Sequence, residues 1–113
     1  MAKIRVNSID LDYQEYGPED AETIVFLHGA GGNLLSWFQQ ITYFSPTYRC
    51  VTFSHRGFGH SSNDSDLGIK KFTDDLEGLL DALGIASAHL VSQSMGGITA
   101  TGFAAKCPER VKT

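Results

Sequence analysis

The chain has 113 residues, enough for one domain with a single core, and its 42% hydrophobic and 19% charged composition is that of a folded globular protein, which excludes a disordered one. A formal net charge of −4, with nine Lys and Arg scattered along the chain, offers no basic surface to gather phosphates and argues against nucleic acid as a partner. No stretch approaches the ~18 apolar residues of a membrane span, and "MAKIRVNSID" has no apolar leader segment, so a cytoplasmic location without membrane contact is expected.

"KIRVNSIDLDYQEYG" alternates apolar and polar residues, Ile4 and Val6, then Ile9, Leu11 and Tyr13, with Asn7-Ser8 at the break. Period two on both sides of a turn dipeptide predicts a β hairpin. "GPEDAE" reads as a loop, and the continuous apolar run "TIVFLHG" suits a strand covered on both faces, so the sheet interior begins at Thr23. After the glycine-rich "HGAGGN", the stretch "LLSWFQQITYF" predicts a short helix capped by Asn33 and closed by Ser45-Pro46, with Trp37 and Phe38 on its core side. "RCVTFSH" is a strand, and "RGFGHSSNDSDLG" an exposed loop.

In "KKFTDDLEGLLDALG" the residues Phe72, Leu76, Leu79, Leu80 and Leu83 share one helical face, Gly84 ends the helix, and Asp74, Asp75, Glu77 and Asp81 form a solvated acidic face. "SAHLVS" is a further strand and "MGGITATGFAAKC" a further helix. Pro108 breaks that helix and Val111 starts another strand, so the outer edge of the strand ending at Val91 is expected to be unprotected and open to self-association. Cys50 and Cys107 lie far apart, without C-x-x-C or a histidine at metal-ligand spacing, and read as buried thiols in a reducing compartment.

A hairpin followed by alternating strands and helices is an α/β chain: a mostly parallel sheet with an N-terminal antiparallel hairpin and helices on both faces. Three loops then leave the sheet at one edge, "HGAGG" after Leu27, "SHRGFGHS" after Phe53 and "SQSMGG" after Val91, the edge where such sheets bind ligands. In "SQSMGG" a serine stands on a sharp strand-to-helix turn, flanked two residues away by Ser92 and Gly96. Small residues at both places let strand and helix approach, although Ser92 replaces the first glycine of G-x-S-x-G.

"FLHGAGG", "VTFSHRGFGHSS", "DDLEGLLDALGI" and "LVSQSMGG", in this order, resemble the N-terminal part of the α/β-hydrolase superfamily, in particular its esterase, enol-lactonase and cofactor-free haloperoxidase-like members. The resemblance covers nearly all of residues 1–113 and implies a partial α/β-hydrolase fold. It makes Ser94 a nucleophile and gives the backbone N–H groups of Met95 and Ala30 to an oxyanion hole, with Gly29, Ala30 and Met95 holding the substrate's acyl group. His28, Arg56, Gly57 and Gly59 are implied as loop scaffolding, and Ser54 stands where the family often has Asp. The implied substrate is a small ester, lactone or related acyl compound, with no cofactor and no metal. The acid and histidine of the triad are implied beyond Thr113, so this chain alone is expected to turn over little, neither His28 nor His60 standing where the family's base does.

Two other readings stand beside this one. "GAGGNL" between a strand and a helix resembles a dinucleotide-binding turn, with Arg56 as a 2′-phosphate partner, but Leu34 falls where the third glycine of G-x-G-x-x-G belongs. A non-catalytic binding or receptor protein on the same fold, or an inactive fragment, is the other. His28 is expected to be a structural hydrogen-bonder, and His55 and His89 to be ordinary.

Overall fold

In a computed structural model, residues 2–62 and 68–113 are described, and the stretch 63–67 of the expected loop lies outside them. Strand β1 (Ala2–Val6) turns through Asn7 and Ser8, whose φ angles of 50° and 68° form a two-residue hairpin, into β2 (Ile9–Tyr16). Two successive left-handed residues match the twist of the flanking strands, and the register is fixed at Val6 opposite Ile9. Strands β3 (Thr23–Leu27), β4 (Arg49–Phe53) and β5 (His89–Ser92) complete a five-stranded sheet of order β1-β2-β4-β3-β5. The hairpin joins antiparallel to β4, while β3 pairs parallel with both β4 and β5.

Helices cover both faces. On one lies α1 (Phe38–Phe44), whose Ile41 packs with Ile24, Phe26 and Cys50. On the other lie α2 (Phe72–Ala82) and α3 (Met95–Lys106), over a core that includes Leu11, Val25, Leu27, Val51 and Phe53. Leu76, Leu79 and Leu80 of α2 are fully buried there, each contributing roughly 1.5–3 kcal/mol of transfer free energy. Gly84, at φ +69°, terminates α2 as the sequence predicts, with Ile85 N–H reaching back to Leu80 O at 2.9 Å and Gly84 N–H to Asp81 O at 3.1 Å. Cys50 and Cys107 are both buried free thiols.

Four expectations are corrected. The helix after the glycine-rich loop begins as a 3₁₀ turn, Leu34–Trp37, capped by Asn33 as expected. Its tighter pitch shifts the faces, so that Trp37 packs on Phe26 at 5.5 Å between ring centroids whereas Phe38 is 66% exposed. The loop after β4 is not all exposed: Ser54, His55, Arg56 and Ser61 are buried. It folds back over β2, where Ser61 Oγ accepts from Asp12 N–H at 2.9 Å and donates to Ser54 O at 2.6 Å.

Asp75 does not belong to a solvated face. It is 1% exposed and takes both prongs of the buried Arg56 guanidinium, Nε to Oδ2 at 2.7 Å and Nη2 to Oδ1 at 2.9 Å, with Asn7 Nδ2 donating to Oδ1 at 3.1 Å. Finally, the outer edge of β5 is partly covered. Val111 bridges Ala88 in parallel, and Leu90 N–H donates to Thr113 O at 2.9 Å, so the strand expected at Val111 has started.

The approach of α3 to β3 sets the position of the functional edge. A Cβ on Gly96 would stand 2.3 Å from Leu27 O and 2.9 Å from His28 O, so only glycine fits. One turn position further, a Cβ on Gly97 would meet nothing nearer than Ser92 Oγ at 3.8 Å.

Three outcomes follow for denaturant unfolding. Gly96→Ala destabilises by about 2–4 kcal/mol because backbone must move, whereas Gly97→Ala stabilises by up to ~1 kcal/mol through helix propensity. Arg56→Met leaves the Asp75 carboxylate buried beside Asn7 Nδ2 without a guanidinium and costs ~3–5 kcal/mol.

Candidate active site

Parallel pairing of Leu27 with Ser92 brings the ends of β3 and β5 together, and Gln93 N–H donates to Leu27 O at 3.2 Å beyond that pair. The chain then turns at Ser94, whose φ of 51° and ψ of −117° lie in a region that non-glycine residues rarely adopt. Such a conformation costs of order 1–3 kcal/mol. Gly96 N–H to Gln93 O at 2.9 Å and Gly97 N–H to Ser94 O at 2.8 Å close the corner into the first turn of α3. Ser94 is exposed, and among the described residues the N–H of Met95 has no acceptor. Ser92 fits where the first glycine of the motif would stand because its side chain is itself exposed.

The loop after β3 meets this corner. A Cβ on Gly29 would lie 3.5 Å from Ser94 Cβ and 3.4 Å from Gln93 O. Gly29 O accepts two hydrogen bonds, from His28 Nδ1 at 2.7 Å and from Gly32 N–H at 3.0 Å. Gly29 C=O and Ala30 N–H belong to one planar trans peptide, so they point in opposite directions. Two donors on the carbonyl therefore aim the Ala30 N–H away from the loop interior. It too has no acceptor among the described residues.

His28 is buried and structural, as the sequence predicts. Because Nδ1 donates to a carbonyl, Nε2 carries the lone pair, and it accepts from His55 N–H at 2.9 Å. His55, read from the sequence as ordinary, is 1% exposed and lies edge-on to His28 at 4.6 Å, with Thr99 Oγ1 2.8 Å from its Nε2. Burial holds the pKa of His28 below the usual imidazole value against the Gly29 hydrogen bond. Burial first, and the neighbouring His28 second, push His55 down to about 3. Both rings are neutral near pH 7. Where the sequence departs from the usual Asp, Ser54 Oγ accepts from Leu34 N–H at 3.0 Å and so ties the loop after β4 to the 3₁₀ turn.

Ser94, Met95, Gly29 and Ala30 are thus gathered at one edge. Among the described residues, no hydrogen bond joins the Ser94 hydroxyl to a base, and no group of three metal-ligating side chains occurs. His89, at the opposite end of β5, bridges Glu22 and Thr113. No described helix is long and apolar enough to cross a membrane.

A histidine whose folded pKa lies below its unfolded value of 6.5 binds its proton more readily when the chain unfolds. Its contribution to stability is complete above pH 6.5 and is lost as pH falls from there towards 3. In denaturant titrations, the His55 ring makes stability fall with acid at about 1.4 kcal/mol per pH unit in that window. His55→Asn, which cannot titrate, removes one ring's share of the slope.

Comparison with known proteins agrees with this geometry. The alpha/beta hydrolase fold family matches residues 22–113. Epoxide hydrolase 1 of Caenorhabditis elegans is 31% identical over 111 residues, 96% of this chain and 28% of that protein. 3-Oxoadipate enol-lactonase 2 of Acinetobacter baylyi is 34% identical over 108 residues, 95% of this chain and 40% of that one. The crystal structure of the enol-lactonase from Burkholderia xenovorans superposes with a TM-score of 0.91 at 33% identity, covering 97% of this chain and 44% of that one. The chain therefore spans less than half the length of these relatives. With the family matched over four fifths of its residues and the strand-turn-helix corner in place, the chain belongs to the α/β-hydrolase fold family.

Proposed function

We propose that this chain is the nucleophile-bearing portion of a serine hydrolase that cleaves a small carboxylic ester or lactone through an acyl-enzyme. The observation that carries the reading is the pair of acceptor-free amides, Ala30 and Met95, on the two loops that meet at Ser94. Ser94 Oγ attacks the acyl carbon, its proton passing to a base, and the carbonyl oxygen becomes an oxyanion between the two amides. Collapse expels the alkoxide, which takes up the proton, and water then cleaves the acyl-serine ester. No cofactor enters.

The residue at the corner selects among the activities of the relatives. A serine that opened an epoxide would form an alkyl ether, and an ether offers water no carbonyl to attack, so turnover would stop after one event. On an acyl carbon the same serine forms an ester, which water can release. Ser94 therefore supports the lactonase-like chemistry over the epoxide-opening chemistry.

The dinucleotide reading loses support. After the glycine-rich loop, Leu34 N–H is taken by Ser54 Oγ at 3.0 Å and Leu35 N–H by Asn33 Oδ1 at 2.8 Å, so donors that would cradle a pyrophosphate are already used. Arg56, the candidate phosphate partner, is buried against Asp75. The binding-protein reading has one observation in its favour, the lack of a base at Ser94 among the described residues. We assign the missing base and acid to polypeptide outside these 113 residues.

Fluorophosphonate labelling followed by peptide mass spectrometry tests the proposal. The 113-residue chain is expected to label slowly at Ser94 and not at all as Ser94→Ala. A longer chain carrying an acid and a histidine is expected to label on the order of 10³-fold faster or more. No rise in that chain would leave the binding reading.

A further inference from the structure

We propose that His55 is a positioning residue for the oxyanion arm, holding the Gly29–Ala30 peptide through His28 and linking that arm to the helix that carries the other amide. The inference rests on the hydrolase reading above, and deepens it.

The side-chain hydrogen bonds run in one direction. His28 Nδ1 must donate to Gly29 O at 2.7 Å, since a carbonyl only accepts, which leaves Nε2 as an acceptor. That one lone pair takes the His55 main-chain N–H at 2.9 Å and is shared with the His55 ring N–H, whose Nδ1 lies 3.1 Å away. With its proton on Nδ1, His55 presents a lone pair at Nε2, so Thr99 Oγ1 donates to it at 2.8 Å. The relay starts at a hydroxyl one turn into α3 from Met95 and ends on the carbonyl whose peptide N–H is that of Ala30. Each bond polarises the next, strengthening the last one. A better-held Gly29 carbonyl means a better-aimed Ala30 N–H.

Packing alone does not call for this arrangement. The rings sit among Phe53, Phe58 and Phe72, with centroid separations of 4.5–5.4 Å. An aromatic hydrocarbon at position 55 would fill that box without the desolvation cost of a polar ring. What a hydrocarbon lacks is the ring's share of the bond to His28, beside the main-chain N–H that any residue at 55 supplies, and the acceptor for Thr99.

The test uses the ¹⁵N-labelled longer chain that carries the acid and the histidine, with phenylboronic acid as a probe that forms a tetrahedral adduct at a serine oxygen. His55→Phe and Thr99→Val break the relay at two points, and His55→Asn keeps a donor near Nδ1. The Phe and Val variants are expected to shift the Ala30 amide resonance, leave the Met95 amide in place, and weaken phenylboronate about tenfold. His55→Asn is expected to return Ala30 and the affinity most of the way, a rescue that a purely space-filling role does not predict. An Ala30 amide and a boronate affinity unchanged in both broken variants would overturn the proposal. If His55→Phe fails to fold, Thr99→Val decides. If the unmodified protein shows no boronate adduct that Ser94→Ala removes, the hydrolase reading fails by itself, and the Ala30 amide still decides whether the relay positions it.

Discussion

The close approach of α3 to the end of β3 is the contact on which the rest depends. Gly96 lies against the carbonyls of Leu27 and His28 with no room for a Cβ, so the helix starts immediately beside the strand. That proximity forces the chain to reverse over Gln93 and Ser94, and the reversal drives Ser94 to a positive φ. A strain of order 1–3 kcal/mol at one residue persists because helix packing over-determines it: Thr99 and Phe103 of α3 are fully buried, and burying a phenylalanine alone returns a comparable amount. The exposed serine is a consequence of the packing and not an independent feature.

Around this contact the chain places polar groups where packing would prefer hydrocarbon, and each joins two segments distant in sequence. Arg56 with Asp75 ties the loop after β4 to α2, and Asn7 brings in the hairpin turn. His28, His55 and Thr99 tie the loops after β3 and β4 to α3. Ser54 and Ser61 tie β4 to the 3₁₀ turn and to β2. A buried ion pair adds little net stability against a hydrophobic replacement, so these groups act by fixing which arrangement the loops take. Loops at the ligand-binding edge of an α/β sheet have the most freedom to lose, and this is where the polar ties are concentrated.

Much of this was legible in the sequence, and the failures have physical causes. The hairpin, the strands and α2 follow from periodicities of two and about 3.6 that survive in the fold, because each element buries the face its pattern marks. The strand-to-helix corner at Ser94 was legible because serine and glycine at fixed spacing meet a steric demand. Asp75 was misread although a signal existed: it lies three residues after Phe72 and four before Leu79, on the apolar stripe, where a carboxylate needs a buried partner. His55 carried a similar one, since Val51, Phe53 and His55 alternate onto the same face, so the ring continues the apolar side of β4 two residues past its end at Phe53. Phe38 carried none, because the handover from 3₁₀ to α geometry that turns it outward depends on the Asn33 cap and the Ser54 contact together.

The candidate site is made almost entirely of main chain. Two amides and a strained turn are set by backbone geometry, which tolerates wide change in side chains so long as Gly96 and the small residues near it remain. That explains how relatives named for lactone and for epoxide chemistry can share this portion at about one-third identity or less. Main-chain donors carry no proton that leaves near neutral pH and pay no reorganisation when charge develops beside them. What they cannot do is choose the bond that forms. On the proposed acyl-enzyme reading that choice falls to the side chain at position 94, where a hydroxyl confines productive turnover to carbon that water can attack a second time.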